Sequence, residues 1–172
     1  MERRIFEATM DRSNARLTYI FGYGIFVALP IVLCIIFWFV LRDPDIFFLP
    51  IASVVITALF LSWRITRFEI TEEYLIVRRI MNSIRIPLRD IVSVSGDVGG
   101  IKGFTIRVFG SHGIYGSQGI FWNKGLGGMF RAYVMNKDNL VRLTMRNGRY
   151  IFLSPDPKDE FLQVITARIA DR

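Results

Sequence analysis

The chain has very little of the cysteine and histidine on which secreted domains and many enzymes depend. Its 172 residues contain one cysteine and one histidine. A single cysteine excludes an internal disulfide framework, so the sequence gives no sign of an oxidising compartment. A single histidine, His112, with no thiol outside an apolar run, argues against a zinc site. We therefore expect no metal and no cofactor.

Charge is missing from two long stretches near the N-terminus. Leu17–Leu41 spans 25 residues and Ile46–Trp63 spans 18, and neither contains Asp, Glu, Lys, Arg or His. As helices they would be about 37 Å and about 27 Å long, against a bilayer hydrocarbon core of about 30 Å. We predict two transmembrane helices, antiparallel because the connector Arg42–Asp45 has only four residues.

Two other interpretations of the first run are weaker. A cleaved signal peptide has a core of about 7–15 apolar residues that ends in small side chains, whereas this run ends in bulky ones. A buried hairpin of a soluble protein would need a polar face, which neither run has. The absence of charge within the runs also argues against an ion pathway or a proton relay.

The distribution of arginines predicts the orientation of this hairpin. The N-terminal segment, residues 1–16, contains four arginines, while the connector contains only Arg42 beside two aspartates. Four more arginines follow the second run, at positions 64, 67, 78 and 79. The positive-inside rule therefore places both termini in the cytoplasm.

The rest of the chain, residues 64–172, has the pattern of a mainly-β domain. Short alternating segments between Arg67 and Leu153 predict about seven strands, and Asn147-Gly148 is typical of a hairpin turn. After a break at residues 154–157 the apolar period becomes helical, through Phe161, Leu162, Ile165 and Ile169. We predict one amphipathic helix at the C-terminus that covers an open end of the sheet.

Four stretches of this domain carry a family resemblance. They are Phe68–Arg79, Ile86–Val94, Asn139–Val141 and Tyr150–Asp156, and together they resemble the opening and the ending of bacterial pleckstrin-homology-like (PH-like) domains. The resemblance implies a split barrel of two sheets capped by a helix, often preceded by a transmembrane hairpin. Together with the two apolar runs it predicts a multi-pass protein of the bacterial inner membrane, and it supplies no catalytic residues.

Glycines are concentrated in the middle of the domain. Eleven of the fourteen lie between Gly96 and Gly128, and four of them recur at every third position from Gly110 to Gly119. The run is too short for collagen, and it lacks the Gly-Lys-Ser/Thr ending of a phosphate loop. We interpret the glycines as bulges and left-handed turns of a curved sheet. The alternative is a functional loop that uses the aromatic residues among them.

The domain also carries all of the net positive charge. Residues 64–172 contain 17 Lys/Arg against 10 Asp/Glu, a net charge of +7 that equals that of the whole chain. A basic domain held at the cytoplasmic leaflet faces anionic lipid, although a solvated basic face is the simpler interpretation. The candidate residues for contact with lipid or a partner are Arg78, Arg79, Arg107, Lys124, Arg131, Tyr115, Phe121 and Trp122. Nucleic-acid binding is not expected, because no recognised motif accompanies the charge.

These observations predict a membrane-anchored interaction module and not an enzyme. We expect it to contact the lipid bilayer and to bind a protein partner or assemble with itself, with an exposed sheet edge as one possible docking surface. One alternative is recognition of anionic lipid headgroups by the basic face. Another is that the chain is an accessory subunit of a larger membrane transport or export complex.

Overall fold

The computed structural model describes residues 3–41, 47–96, 104–113 and 115–170 of the chain. The predicted connector Arg42–Asp45 lies outside the described residues, as do residues 97–103 and 114 of the glycine-rich stretch. The helical segments are α1 (Arg12–Leu17), a π-helical segment (Thr18–Ala28), α2 (Leu29–Leu41), α3 (Phe48–Ser62), a 3-10 turn (Leu88–Asp90) and α4 (Lys158–Ala170). The strands are β1 (Arg4–Glu7), β2 (Ile65–Ile70), β3 (Tyr74–Arg79), β4 (Ser83–Pro87), β5 (Ile91–Ser95), β6 (Thr105–Gly113), β7 (Gly116–Asn123), β8 (Gly128–Val134), β9 (Val141–Met145) and β10 (Tyr150–Leu153).

The first apolar run belongs to one long helix made of α1, the π-helical segment and α2. Its 29 residues from Arg12 to Val40 include an 18-residue window of mean hydropathy 2.6 that is 11% buried, so this helix is long and apolar enough to cross a membrane. The second run forms α3, whose 15 residues correspond to about 22 Å. Among the described helices only the first therefore reaches the length of a full span.

The first β-sheet is antiparallel, with the strand order β1-β2-β3-β4. β1 comes from the N-terminal segment and pairs with β2, so that Phe6 lies opposite Phe68. Residues 1–16 were predicted as a segment apart from the domain, and in the structure β1 of this segment extends the first sheet. A four-residue strand with one buried side chain is too short to show a period.

The second sheet has six strands in the order β5-β9-β10-β8-β7-β6, and only the β10–β8 pair is parallel. The described residues thus form ten strands in two sheets, against the prediction of about seven. Besides β1, the prediction missed β5. A register shift between Ile91 and Ser93 interrupts the alternation that reveals a strand in sequence.

The main core lies between the two sheets and α4. Phe161 of α4 is fully buried, and its ring centroid is 5.2 Å from that of Phe6 and 6.4 Å from that of Phe68. Leu143 and Leu153 reach the same cluster from the second sheet. The predicted C-terminal helix is confirmed, and it covers the core as its apolar period indicated.

Two glycines of the repeat face each other where β6 and β7 bend. Gly110 and Gly119 are paired across the strands and have positive φ angles of 118° and 134°. A Cβ atom at either position would lie 2.0–2.1 Å from a carbonyl oxygen of the opposite strand. At these positions the structure supports our interpretation of the repeat as a conformational requirement.

Candidate functional site

The first helix is fixed to the domain at its N-terminus. Asp11 caps α1 by accepting a hydrogen bond of 2.6 Å from the backbone N–H of Asn14. The buried Asn14 amide donates to Asp11 at 2.9 Å and to the carbonyl of Met135 at 3.1 Å. Asp11 also accepts from the backbone N–H of Lys137. Hydrogen bonds therefore hold the start of this helix against the domain, so that it is not joined to the domain by a free linker.

The β6–β7 hairpin meets the same helix one turn later. The backbone N–H of Tyr115 donates to the Thr18 hydroxyl at 3.0 Å, and the Tyr115 ring meets the edge of Tyr23 at 6.3 Å. Tyr115 is consequently only 2% exposed. Tyr115 was predicted as a lipid or partner contact, and the structure places it beneath the first helix instead.

The end of α3 is attached to the domain through the β3–β4 turn. The backbone N–H groups of Ile80 and Met81 donate to the carbonyls of Arg64 and Ser62, at 3.2 Å and 3.3 Å. On the second sheet, the Phe109 ring lies 6.4 Å from that of Trp63. The start of the first helix and the end of α3 therefore meet the same end of the domain.

A group of cationic and phenolic side chains lies at this junction, and we call Arg64, Arg79, Tyr115, Gln118 and Tyr133 the junction cluster. The guanidinium of Arg79 lies 5.5 Å above the ring of Tyr133, which pairs with Gln118 in the sheet. In the described part of the chain Arg79 has no carboxylate partner. Arg79 Nε and Gln118 Oε1 are buried there without a hydrogen-bond partner.

Electrostatics in the junction cluster reflect this burial. Burial lowers the pKa of the Arg79 guanidinium, and the neighbouring Tyr133 opposes the shift. Burial also raises the pKa of the Tyr115 phenol, assisted by Tyr23, while the positive charge of Arg64 acts in the opposite direction. A desolvated cation without a carboxylate partner favours binding of an anionic group.

The predicted residue Arg78 belongs to a different arrangement, on the outer face of the first sheet. Its Nε donates to Glu69 at 3.0 Å, Arg67 donates to the same carboxylate at 2.8 Å, and Arg3 completes the cluster. Burial raises the pKa of the Glu69 carboxyl, but the hydrogen bonds and charges of Arg78 and Arg3 outweigh it and hold the pKa below its ordinary value. One buried carboxylate thus neutralises one of three guanidinium charges.

The three remaining predicted cations do not share a surface. Arg107 is paired with Phe121, whereas Arg131 is paired with Ile120, one residue along β7. Successive residues of a strand point to opposite faces, so these two arginines lie on opposite sides of the sheet. Lys124 is exposed in the β7–β8 turn, at the end far from the helices.

The predicted aromatic residues of β7 are also divided between the two faces. Phe121 is 4% exposed and stacks on Phe130 at 5.6 Å, so it belongs to a second core cluster and not to a docking surface. Trp122 is half-buried on the opposite face, paired with Met129. The predicted contact residues therefore lie at several separate places in the structure and not on one surface.

Sequence analysis missed a groove on the uncovered part of the second sheet, except for its residue Arg131. The groove encloses ≈ 180 Å³, and we name it the β8–β10 groove. It is lined by Ile120, Met129, Phe130, Arg131, Met145, Asn147, Arg149, Tyr150 and Ile151. Only the cations of the groove could be recognised in the sequence, because the sequence does not reveal the strand register that brings the other residues together.

No metal-ligand cluster is found in the described part of the chain. No group of three or more His, Cys, Asp or Glu side chains there is placed to hold a metal ion. The arrangement offers binding chemistry through guanidinium, phenol and apolar groups.

Comparison with known proteins identifies the domain. A family model described as a bacterial PH domain matches residues 66–169, which is more than half of the chain. No curated protein and no solved structure matches the chain.

Proposed function

The chain belongs to the bacterial PH domain family, and from this we propose that it is a membrane-anchored, non-catalytic interaction module. PH domains are generally interaction modules and not enzymes. We infer the following organisation: a hairpin over residues 17–63 crosses the bacterial inner membrane twice, and residues 64–172, completed by β1, form a cytoplasmic domain. The groove and the junction cluster are the surfaces proposed for binding, since fold alone does not define a ligand.

The pairing of β1 with β2 carries this proposal. β1 precedes the long helix and β2 follows α3, yet Phe6 and Phe68 are cross-strand neighbours. Paired strands lie about 5 Å apart, whereas a single crossing would place them on opposite sides of a hydrocarbon core of about 30 Å. If the helix Arg12–Val40 crosses the membrane, the chain has to return before residue 65. α3 is the segment available for the return, and the arginines at its end favour the cytoplasm.

We propose the β8–β10 groove as the surface that receives a protein partner or a second copy of the chain. Met129 and Met145 contribute flexible apolar side chains that adapt to different partners. Arg131 and Arg149 add two cations at the same groove, which suits a partner segment that combines apolar and acidic residues. An accessory role in a transport or export complex would use the same surface.

Site-specific photo-crosslinking of the full chain in its native membrane tests this proposal. A crosslinking amino acid in place of Met129 should give a discrete adduct, and the same amino acid in place of the exposed Arg85 should not. The additional substitution Arg131→Glu should abolish the adduct. Equal adducts at both positions, or an adduct that persists with Arg131→Glu, would contradict a role for the groove.

The junction cluster supports a second candidate function, which is recognition of an anionic lipid headgroup. Arg79 lacks a carboxylate partner in the described part of the chain and lies beside the end of α3, where lipid phosphates would be. One cation near an anionic surface contributes about 1 kcal/mol, which corresponds to about 4–8 °C in the melting temperature of a domain of this size.

Thermal unfolding in nanodiscs of neutral and of anionic lipid tests this second function. The full chain should melt at a higher temperature in anionic lipid, and Arg79→Gln should remove most of the difference. Arg131→Gln is the matched control and should retain it. If the two variants respond equally, the effect reflects overall charge and not the junction cluster.

A further inference from the structure

Large apolar side chains are exposed around the end of α3, where a water-soluble domain would have polar ones. Met81 is 76% exposed, Phe109 is 64% exposed and Ile80 is 53% exposed. Trp63, the residue that follows α3, lies among them. Contiguous apolar exposure of this kind marks an interaction surface.

Backbone hydrogen bonds fix the position of these side chains relative to the end of α3. The N–H of Met81 is bonded to the carbonyl of Ser62, the last residue of α3, and the N–H of Ile80 is bonded to that of Arg64. The β3–β4 turn is therefore level with the end of the apolar helix. Tryptophan at such a position is typical of a membrane interface, so the turn lies at interfacial depth.

The β6–β7 hairpin approaches the same level from the second sheet. Phe109 contacts Trp63 beside α3, and Tyr115 contacts Thr18 and Tyr23 of the first helix. The β6–β7 hairpin therefore contacts both the residue that follows α3 and the first helix. Further along β6, Ile106 is also exposed. An edge strand with exposed apolar side chains needs a covering surface.

We propose that the β3–β4 turn and the adjacent part of β6 form a membrane seat, in which Ile80, Met81 and Phe109 enter the interfacial layer of the lipid bilayer. The occupant is lipid because the seat continues the apolar surface of α3 through Trp63. The proposal rests on the proposed two-helix anchor. The domain is then held against the bilayer at a fixed angle and does not swing on its helices.

Oxidative footprinting of the unmodified chain in single-copy nanodiscs gives the first test. Met81 is more exposed than Met129, which is 57% exposed in the protein alone, so without lipid contact Met81 should oxidise at least as fast. We expect Met81 to oxidise several-fold more slowly than Met129. Equal or faster oxidation of Met81 would overturn the membrane seat.

A second test uses lipids that carry a quencher at a defined depth. The only cysteine, Cys34, is replaced by alanine, and a fluorophore is attached to the full chain at M81C, F109C, V55C or N147C in separate variants. Val55 lies within α3, and Asn147 lies in the turn between β9 and β10, far from the helices. We expect shallow quenchers to affect labels at 81 and 109 several-fold more strongly than the label at 147.

The four labels separate failure of the seat from failure of the anchor. If deep quenchers reach position 55 but shallow ones spare positions 81 and 109, the seat is wrong and the anchor stands. If position 55 is not quenched, α3 is outside the bilayer, and both proposals fall. A label at 81 that becomes protected only when two copies share a nanodisc would identify a second chain as the occupant and overturn the lipid seat.

Discussion

The two sheets share one core but protect their outer faces by opposite means. On the first sheet, the carboxylate of Glu69 is completely buried beneath the side chains of three arginines. On the second sheet, Phe121, Phe130 and Phe152 form a separate aromatic cluster on the face turned away from the main core. The first face is therefore closed by ion pairs and the second by apolar packing.

The stability of the second sheet's outer face therefore depends on apolar packing, and that of the first sheet's outer face depends on charge. The arginines around Glu69 retain between about a third and a half of their exposure, so water screens part of the attraction. The aromatic cluster excludes water, and its stability does not depend on protonation. Substitutions on the two faces should consequently differ in size and in their response to pH.

The largest effect is expected for Phe130→Ala in the aromatic cluster. The Phe130 ring stacks on Phe121 at 5.6 Å and meets Phe152 at 5.1 Å, so its removal leaves a cavity between two rings. We expect a loss of about 3–5 kcal/mol in the free energy of unfolding. Chemical unfolding of the full chain, followed by near-UV circular dichroism, measures it. Phe104→Ala, at a ring that is 68% exposed, is the control and should change little.

A smaller effect is expected for Glu69→Gln in the ion-pair cluster. The change leaves three guanidiniums around a neutral amide, and loss of one partner of a fully buried ion pair costs about 3–5 kcal/mol. Because these arginines are partly exposed, we expect about 1–2 kcal/mol in the same unfolding measurement. Glu73→Gln, at an exposed position in the β2–β3 turn, is the control. A loss as large as that of Phe130→Ala would show that the comparison is wrong.

The smallest expected effect is a difference between the two faces in how the free energy of unfolding depends on pH. The pKa of Glu69 is below its ordinary value of 4.5, so the cluster contributes its full stability above about that pH. The contribution is lost as pH falls through the folded pKa, because protonation removes the charge. Unfolding curves between pH 6 and about pH 3 should therefore slope more steeply for the wild type than for Glu69→Gln. Phe130→Ala should retain the wild-type slope.

Much of the fold could be predicted because its signals are long or strictly periodic. The charge-free first run predicted a helix of membrane length, and the spacing of Phe161, Ile165 and Ile169 predicted α4. β1 and β5 were missed, one because it has four residues and the other because a register shift breaks its alternation. A short or irregular strand is defined by its partner and not by its own pattern.

The candidate site was less predictable, because alternation in a strand does not show which face is covered. Phe121 and Tyr115 were expected to be exposed, yet an outer aromatic cluster covers one and the first helix covers the other. Phe152 and the first helix, which contribute to these coverings, are far away in sequence. Arg78 and Arg79, both predicted as contact residues, are adjacent on β3, but their side chains diverge, one to Glu69 and one to Tyr133.

The pairing of β1 with β2 also has a consequence for biosynthesis. Residues 4–7 leave the ribosome before residues 65–70, and they have no partner until the intervening apolar region has been made. In the proposed two-helix arrangement, a chain whose second apolar segment failed to return would keep these strands apart by the thickness of the membrane, leaving Phe6 and Phe68 unpaired. Completion of the first sheet would therefore depend on that return.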